Sequence, residues 1–137
     1  MPREMRLIVV GTPHHITQRG NNRQTVFRSD RDRVFYLKTL NTRCHQHSLR
    51  ILGYCLMTNH VHLVAVPDHR HSMALALGQT HMIYAQRFNF TAGRSGHLWQ
   101  NRFYSCPLGP THLVDALVYT DMNPVTARMV DRPEDHR

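Results

Sequence analysis

Hydrophobic and polar positions change rhythm several times along the chain, and each change marks an element. Apolar Leu7 to Val10 stops at Gly11-Thr12-Pro13, and His14-His15-Ile16-Thr17 then resumes, which predicts a strand over about 13–19. Gly20-Asn21-Asn22-Arg23 reads as a polar turn. Ser29 and Asp30 stand where a helix N-cap belongs. Val34, Leu37 and Leu40 then recur at helical spacing beside Phe35 and Tyr36, so a helix is expected over about 30–47. From Leu49 to Met57 the period falls to two, with Ile51, Gly53 and Cys55 alternating against Leu52, Tyr54 and Leu56. After Thr58-Asn59 a second strand carries Val61, Leu63, Ala65 and Val66 and closes at Pro67. So short a link predicts an antiparallel hairpin. Ser72 is expected to cap a helix over about 72–90, with Met73, Leu77, Met82, Ala85 and Phe88 among its apolar positions. A Gly-, Ser- and Arg-rich loop spans 91–97, and the aromatic stretch Leu98 to Leu108 reads as a strand or extended segment. Thr111 can cap a last helix over about 112–122, which Pro124 kinks or ends.

The resulting order is strand, helix, strand, strand, helix, strand, helix. Without its last helix this is the split βαβ pattern of ferredoxin-like domains. The expected class is therefore α+β: a four-stranded antiparallel sheet with two helices on one face, the other face open to a ligand or to the terminal helix. A length of 137 residues supports a single domain over 1–137 with one modest core.

Charge narrows the partner. Seventeen Lys and Arg against nine Asp and Glu give a formal charge of +8, which points to a polyanion, most simply nucleic acid. Nearly all of that charge is arginine, Lys38 being the only lysine, and the guanidinium fork suits phosphates and base edges. Cys44, Cys55 and Cys106 are widely spaced and odd in number, with no CxxC pair. They suggest neither a zinc knuckle nor a disulfide framework, and buried reduced thiols fit a cytoplasmic protein. No signal peptide or membrane span is visible in the apolar runs.

Twelve histidines raise interest in metal or acid–base chemistry, and His60-Val61-His62 is the sharpest local feature. Residues two apart on a strand share a face, so the two imidazoles project together while Val61 turns into the core. Two imidazoles on one rigid strand form a natural divalent-metal pair, although most such spacings in proteins have nothing to do with metal. Tyr119 and Asn123 lie four apart and share a face of the predicted last helix. Asn123 can offer a metal its carbonyl oxygen, and Tyr119 a nucleophilic hydroxyl. The plainer reading makes Tyr119 a core residue and Asn123 a cap before Pro124. If that helix packs on the open face of the sheet, the two features combine: a metal would polarise a phosphate as a Lewis acid beside an attacking hydroxyl.

At this point the sequence resembles a known family. Residues 54–67, YCLMTNHVHLVAVP, are similar to the HUH strand and its neighbour in single-tyrosine transposases of the insertion-sequence and REP-associated (RAYT) type. Residues 119–128, YTDMNPVTAR, resemble that family's catalytic helix. Residues 13–27, PHHITQRGNNRQTVF, and 97–105, HLWQNRFYS, match further phrases of it, so the resemblance covers roughly 11–136. It implies a ferredoxin-like fold with a C-terminal catalytic helix. It also implies Mg²⁺ or Mn²⁺ held by His60, His62 and Asn123, and Tyr119 joined to a 5′ phosphate of single-stranded DNA with release of a 3′ hydroxyl. The expected substrate carries a hairpin, the enzyme is a homodimer or a monomer, and it acts on DNA in the cytoplasm, at the nucleoid. The family's chains usually continue further, which implies a shortened C-terminus here.

Two basic segments are the candidate DNA contacts. Arg19, Asn21, Asn22 and Arg23 form one; Arg94, His97, Trp99, Gln100 and Arg102 form the other. Arginines hold phosphates, an exposed aromatic stacks on an unpaired base, and Asn or Gln reads base edges. Trp99 is as readily a buried anchor. Of His14 and His15, only one should reach the DNA side, since neighbours on a strand face opposite ways. Tyr84 and Tyr104 compete with Tyr119 as nucleophile; Tyr84 sits among core positions and Tyr104 in a segment suited to stacking. The alternative function is a non-catalytic single-stranded nucleic-acid-binding module, a domesticated transposase. A zinc-binding regulatory domain would need further His or Cys ligands that the local spacing does not supply.

Overall fold

The computed structural model describes residues 6–117, so the predicted nucleophile Tyr119 and the predicted ligand Asn123 lie outside the described residues. The strands and helices run, in chain order, β1 (His14–Arg19), α1 (Asp30–Gln46), β2 (Leu49–Met57), β3 (His60–Pro67), α2 (Ser72–Ala92) and β4 (Tyr104–Pro107). A further helix, α3, is described over 110–117. The strands form one antiparallel sheet in the order β2-β3-β1-β4, which is the expected α+β architecture.

Register sorts the side chains onto two faces. Ile16, Leu63 and Tyr54 are aligned across β1, β3 and β2, as are Gln18, Val61 and Leu56. Tyr36, Leu40 and Cys44 of α1 and Met73, Ala76, Leu77, Tyr84 and Phe88 of α2 join that face in a single core. Burying each large apolar side chain there contributes about 1.5–3 kcal/mol. The opposite face carries His15, Thr17 and Arg19 of β1, His60 and His62 of β3, and Tyr104 of β4. It is not bare throughout, because Val64 and Cys55 lie on it and are buried.

Local chemistry explains the boundaries. The Ser29 hydroxyl accepts from the Asp32 amide at 3.3 Å, and the Asp32 carboxylate accepts from the Arg28 amide at 2.9 Å, so α1 is capped as predicted. Ser72 is not the cap of α2. His71 holds that position, and the Ser72 hydroxyl accepts from the His69 amide at 3.0 Å. Likewise Thr111 lies inside α3, which starts at Pro110, a residue whose fixed φ and missing N–H suit a first helical position. In β2 a bulge between Ile51 and Gly53 inserts an extra residue. It returns Ile51 to the core side with Tyr54 and Leu56, so strict alternation from Ile51 to Cys55 fails. The stretch 98–108 pairs as a strand only from Tyr104. Before that, its backbone is drawn to the Gly20 turn: Asn21 N–H donates to Leu98 O at 2.8 Å and Gln100 N–H to Arg19 O at 2.9 Å.

Candidate active site

Asn59 and the two histidines follow one another at the tip of the β2–β3 hairpin. Val61, between the histidines, is 1% exposed and fixes the strand against the helices. His60 and His62 therefore emerge together on the second face, their ring centroids 4.7 Å apart and their planes at 85°. Both rings are held at Nδ1. His60 Nδ1 donates to Asn59 Oδ1 at 2.7 Å. His62 Nδ1 lies 3.2 Å from His15 Nε2, and the two rings are nearly parallel at 6°. Arg19 is the cross-strand partner of His60.

The electrostatics keep these imidazoles neutral at physiological pH. Burial, then His60, His15 and Arg19, push His62 down to about 4. His60 is lowered by burial and by Arg19, and His15 by burial. Neutral imidazole is the form that ligates a metal. Both donors are nitrogens, which suit Mn²⁺ better than Mg²⁺, an ion that prefers oxygen and gives up water reluctantly. Among the described residues no third His, Cys, Asp or Glu completes a metal-holding group. The pair fits a divalent cation whose remaining ligands are oxygens.

A groove of about 510 Å³ adjoins the pair, lined by His15, Thr17, Arg19, His62, Gln100, Arg102 and Tyr104 among others. A second, of about 810 Å³, runs between α2 and the 96–103 loop and is lined by Asn21, His97, Trp99, Gln100 and Arg102, with apolar Met82, Ala85 and Phe103. Gln18, Gln100, Asn101 and Arg102 line both grooves, so residues 100–102 join the two.

The predicted DNA contacts thus divide. Arg19, Gln100 and Arg102 sit beside the histidine pair, and Asn21 and His97 on the second groove. Asn22 and Arg23 are exposed at positive φ, 54° and 58°, and line neither groove. Trp99 is half-buried: its indole N–H donates to His81 O at 3.0 Å, and its ring packs on His81 and Tyr84. That geometry favours the anchor reading over stacking. The Arg94 guanidinium braces its own loop through Asn89 Oδ1 and His97 O.

Tyr84 is a core residue, 2% exposed, with its hydroxyl donating to Val26 O. Tyr104, by contrast, is 65% exposed on the second face, where an unpaired base could stack on it. His14 is fully buried, donating from Nδ1 to Thr12 O at 2.7 Å and accepting from Val9 N–H at 3.2 Å. His15 is therefore the one of the two histidines on the face that carries His60 and His62. Asn59, read from sequence only as a turn residue, is a direct partner of His60. Its signal was adjacency to the HxH pair. Cys44 and Cys55 are buried, their thiols pushed up to about 12 by burial, but Cys106 is exposed on the edge strand.

Comparison with known proteins bears on the family and the fold. The model of the family "Transposase IS200 like" matches residues 9–120. Among solved structures, a REP-associated tyrosine transposase bound to a REP hairpin superposes with a TM-score of 0.73 at 16% identity, covering 98% of this chain and 79% of that one. A protein of Deinococcus radiodurans R1 assigned as a transposase superposes with a TM-score of 0.59 at 15% identity, covering 86% of this chain and 95% of that one. No curated protein matches. Among the described residues no helix is long and apolar enough to cross a membrane.

Proposed function

The chain belongs to the IS200-like transposase family, and from that premise we propose that it nicks and rejoins single-stranded DNA at hairpin-associated sites through a 5′-phosphotyrosine. The observation that carries the reading is the His60–His62 pair, each ring engaged at Nδ1, with His62 lining a groove edged by Arg19, Gln100 and Arg102. His60, His62 and Asn123 would hold Mg²⁺ or Mn²⁺, which when bound supplies Lewis-acid polarisation of the scissile phosphate.

The protein's own groups do the rest. Tyr119 Oη, giving up its proton to solvent, attacks the phosphorus; the P–O3′ bond breaks, and O3′ takes a proton from solvent to become a 3′ hydroxyl. The 5′ side stays on the tyrosine as a phosphodiester, which a 3′ hydroxyl can attack to rejoin the strand. Arg19 supplies positive charge beside the phosphate, Gln100 and Arg102 hold the strand across the junction of the two grooves, and Tyr104 offers a stacking face. The hairpin bound by the solved REP-associated relative makes a hairpin the natural substrate to try first.

The test is covalent trapping. Labelled hairpin oligonucleotides are incubated with the full chain and Mn²⁺ and resolved on a denaturing gel. A slow band that requires metal and disappears in Tyr119→Phe, with hairpin binding kept within a few fold, supports the reading. An adduct that survives in Tyr119→Phe assigns the nucleophile elsewhere. Hairpin binding with no adduct from any oligonucleotide supports a non-catalytic binding module.

A further inference from the structure

We propose that His15 is a positioning residue for His62, acting as the acceptor that keeps the His62 proton on Nδ1 and so leaves the lone pair on Nε2, the nitrogen that would ligate a metal. The inference rests on the reading of His60 and His62 as ligands and adds a residue from another strand.

The argument starts from the strand register. His62 is aligned with Thr17, and His15 lies one step along the same face, diagonal to it. The two rings are nearly parallel, with 3.2 Å between His15 Nε2 and His62 Nδ1. A contact between two neutral imidazole nitrogens at that distance holds one proton. With the proton on His15 Nε2, the His62 proton moves to its own Nε2, and that nitrogen cannot ligate. With the proton on His62 Nδ1, the His62 Nε2 keeps its lone pair.

His60 shows which arrangement the site is built for. Asn59 Oδ1, 2.7 Å from His60 Nδ1, can only accept, so His60 carries its proton on Nδ1 and its lone pair on Nε2. A ring that ligates needs one nitrogen with its lone pair, and in His60 and His62 alike Nδ1 is already engaged, which leaves Nε2 for that part. Asn59 sets the first ring from the preceding residue, and His15 sets the second from the neighbouring strand. Outer partners of this kind fix ring orientation and ligand basicity in metal sites generally.

The test uses the full chain labelled with ¹⁵N-histidine, with variants His15→Phe and His15→Gln. Phenylalanine keeps a flat ring and loses the acceptor. Glutamine places a carbonyl oxygen near the position of Nε2. Long-range ¹H–¹⁵N correlation reads the His62 tautomer, and electron paramagnetic resonance reads Mn²⁺ affinity. The expected result is His62 protonated on Nδ1 in the unaltered chain and in His15→Gln. In His15→Phe that preference should be lost and Mn²⁺ affinity should fall about 10- to 100-fold, the usual effect of losing an outer-sphere partner. His62 protonated on Nε2 in the unaltered chain overturns the proposal, and this measurement stands even if His15→Phe does not fold. Mn²⁺ affinity equal in His15→Phe and the unaltered chain, while His62→Ala abolishes binding, overturns the role of His15 alone. Mn²⁺ binding indifferent to both His60→Ala and His62→Ala overturns the metal reading and the proposal with it.

Discussion

Replacing Gly20 by alanine adds one methyl at the crossing point of three segments. Gly20 has ordinary extended backbone, φ −67° and ψ 142°, so alanine meets no conformational penalty there. Space is the obstacle. A Cβ at Gly20 would lie 2.4 Å from Gln24 O, 2.9 Å from Val26 Cγ1 and 3.4 Å from Asn59 O. The nearest atom is backbone, and the Gly20 amide itself donates to Asn59 O at 2.8 Å. The turn must therefore move as a unit. Forced repacking of this kind costs about 1–3 kcal/mol, and at about 3–5 °C per kcal/mol for a chain of this size the midpoint should fall by roughly 3–15 °C. Gly78→Ala is the internal control. That glycine lies in α2 with nothing within 4 Å of the methyl that alanine would add, so the same substitution should stabilise by about 0.5–1 kcal/mol. Thermal unfolding followed by circular dichroism reads both. Gly20→Ala should also weaken Mn²⁺ binding more than its stability loss alone would, because Asn59 orients His60. A Gly20→Ala midpoint equal to or above that of Gly78→Ala would refute the reasoning.

Other expectations are separable from this one. His81 is buried, accepts from the Tyr36 hydroxyl at 2.8 Å and is pushed by burial down to about 3. Its unfolded-state value is 6.5, so the unfolded chain binds the extra proton between those limits and stability should fall as pH drops through that window. His81→Gln, which can still accept from Tyr36, should flatten that acid limb in pH-dependent melting, and an unchanged limb would sink the idea. Tyr36→Phe leaves the buried His81 Nε2 without its donor and should cost about 1–3 kcal/mol, read by urea denaturation. Arg19→Ala should lower hairpin affinity and reduce the slope of log affinity against log salt by about 0.7–0.9, one phosphate contact, as read by anisotropy titration; an unaltered slope would remove Arg19 from the interface.

How much of this was legible in the sequence depends on the range of the interaction involved. Local signals carried furthest. Ser29 with Asp30 gave the start of α1, the two-residue link Thr58-Asn59 gave the hairpin, and the spacing of His60 and His62 gave their shared face. Misreadings came where two local rules compete. Ser72 and Thr111 are good capping residues, but His71 and the helix-initiating Pro110 decided the boundaries. The bulge at Leu52 is invisible to a period-two pattern, because every residue around it is apolar or small. Pairings between distant strands were out of reach altogether. Nothing in His15 or Tyr104 as isolated residues says that one will touch His62 and the other will stand two strands away on the same face.

That last point bears on how the site holds its shape. His15, Arg19, Asn59, His60, His62 and the 98–102 segment come from separate stretches of chain, and each reaches the site through backbone pairing. β1 and β3 are in register from His14 to Arg19, which sets Arg19 opposite His60 and His15 one step beyond His62 on the same face. The Gly20 amide donates to Asn59 O, Asn21 N–H to Leu98 O and Gln100 N–H to Arg19 O, so one turn ties the hairpin tip to the groove-lining loop. Gln18 reinforces the tie from the core side, its amide donating to Asn101 O at 3.1 Å. Side chains on the loop can therefore vary in what they contact without altering the imidazoles, whose geometry is set by the sheet. The consequence is a division of labour that mutation can expose. Substitutions at Gln100 or Arg102 should change which DNA binds while leaving Mn²⁺ affinity in place, whereas substitutions at Gly20 should disturb both together.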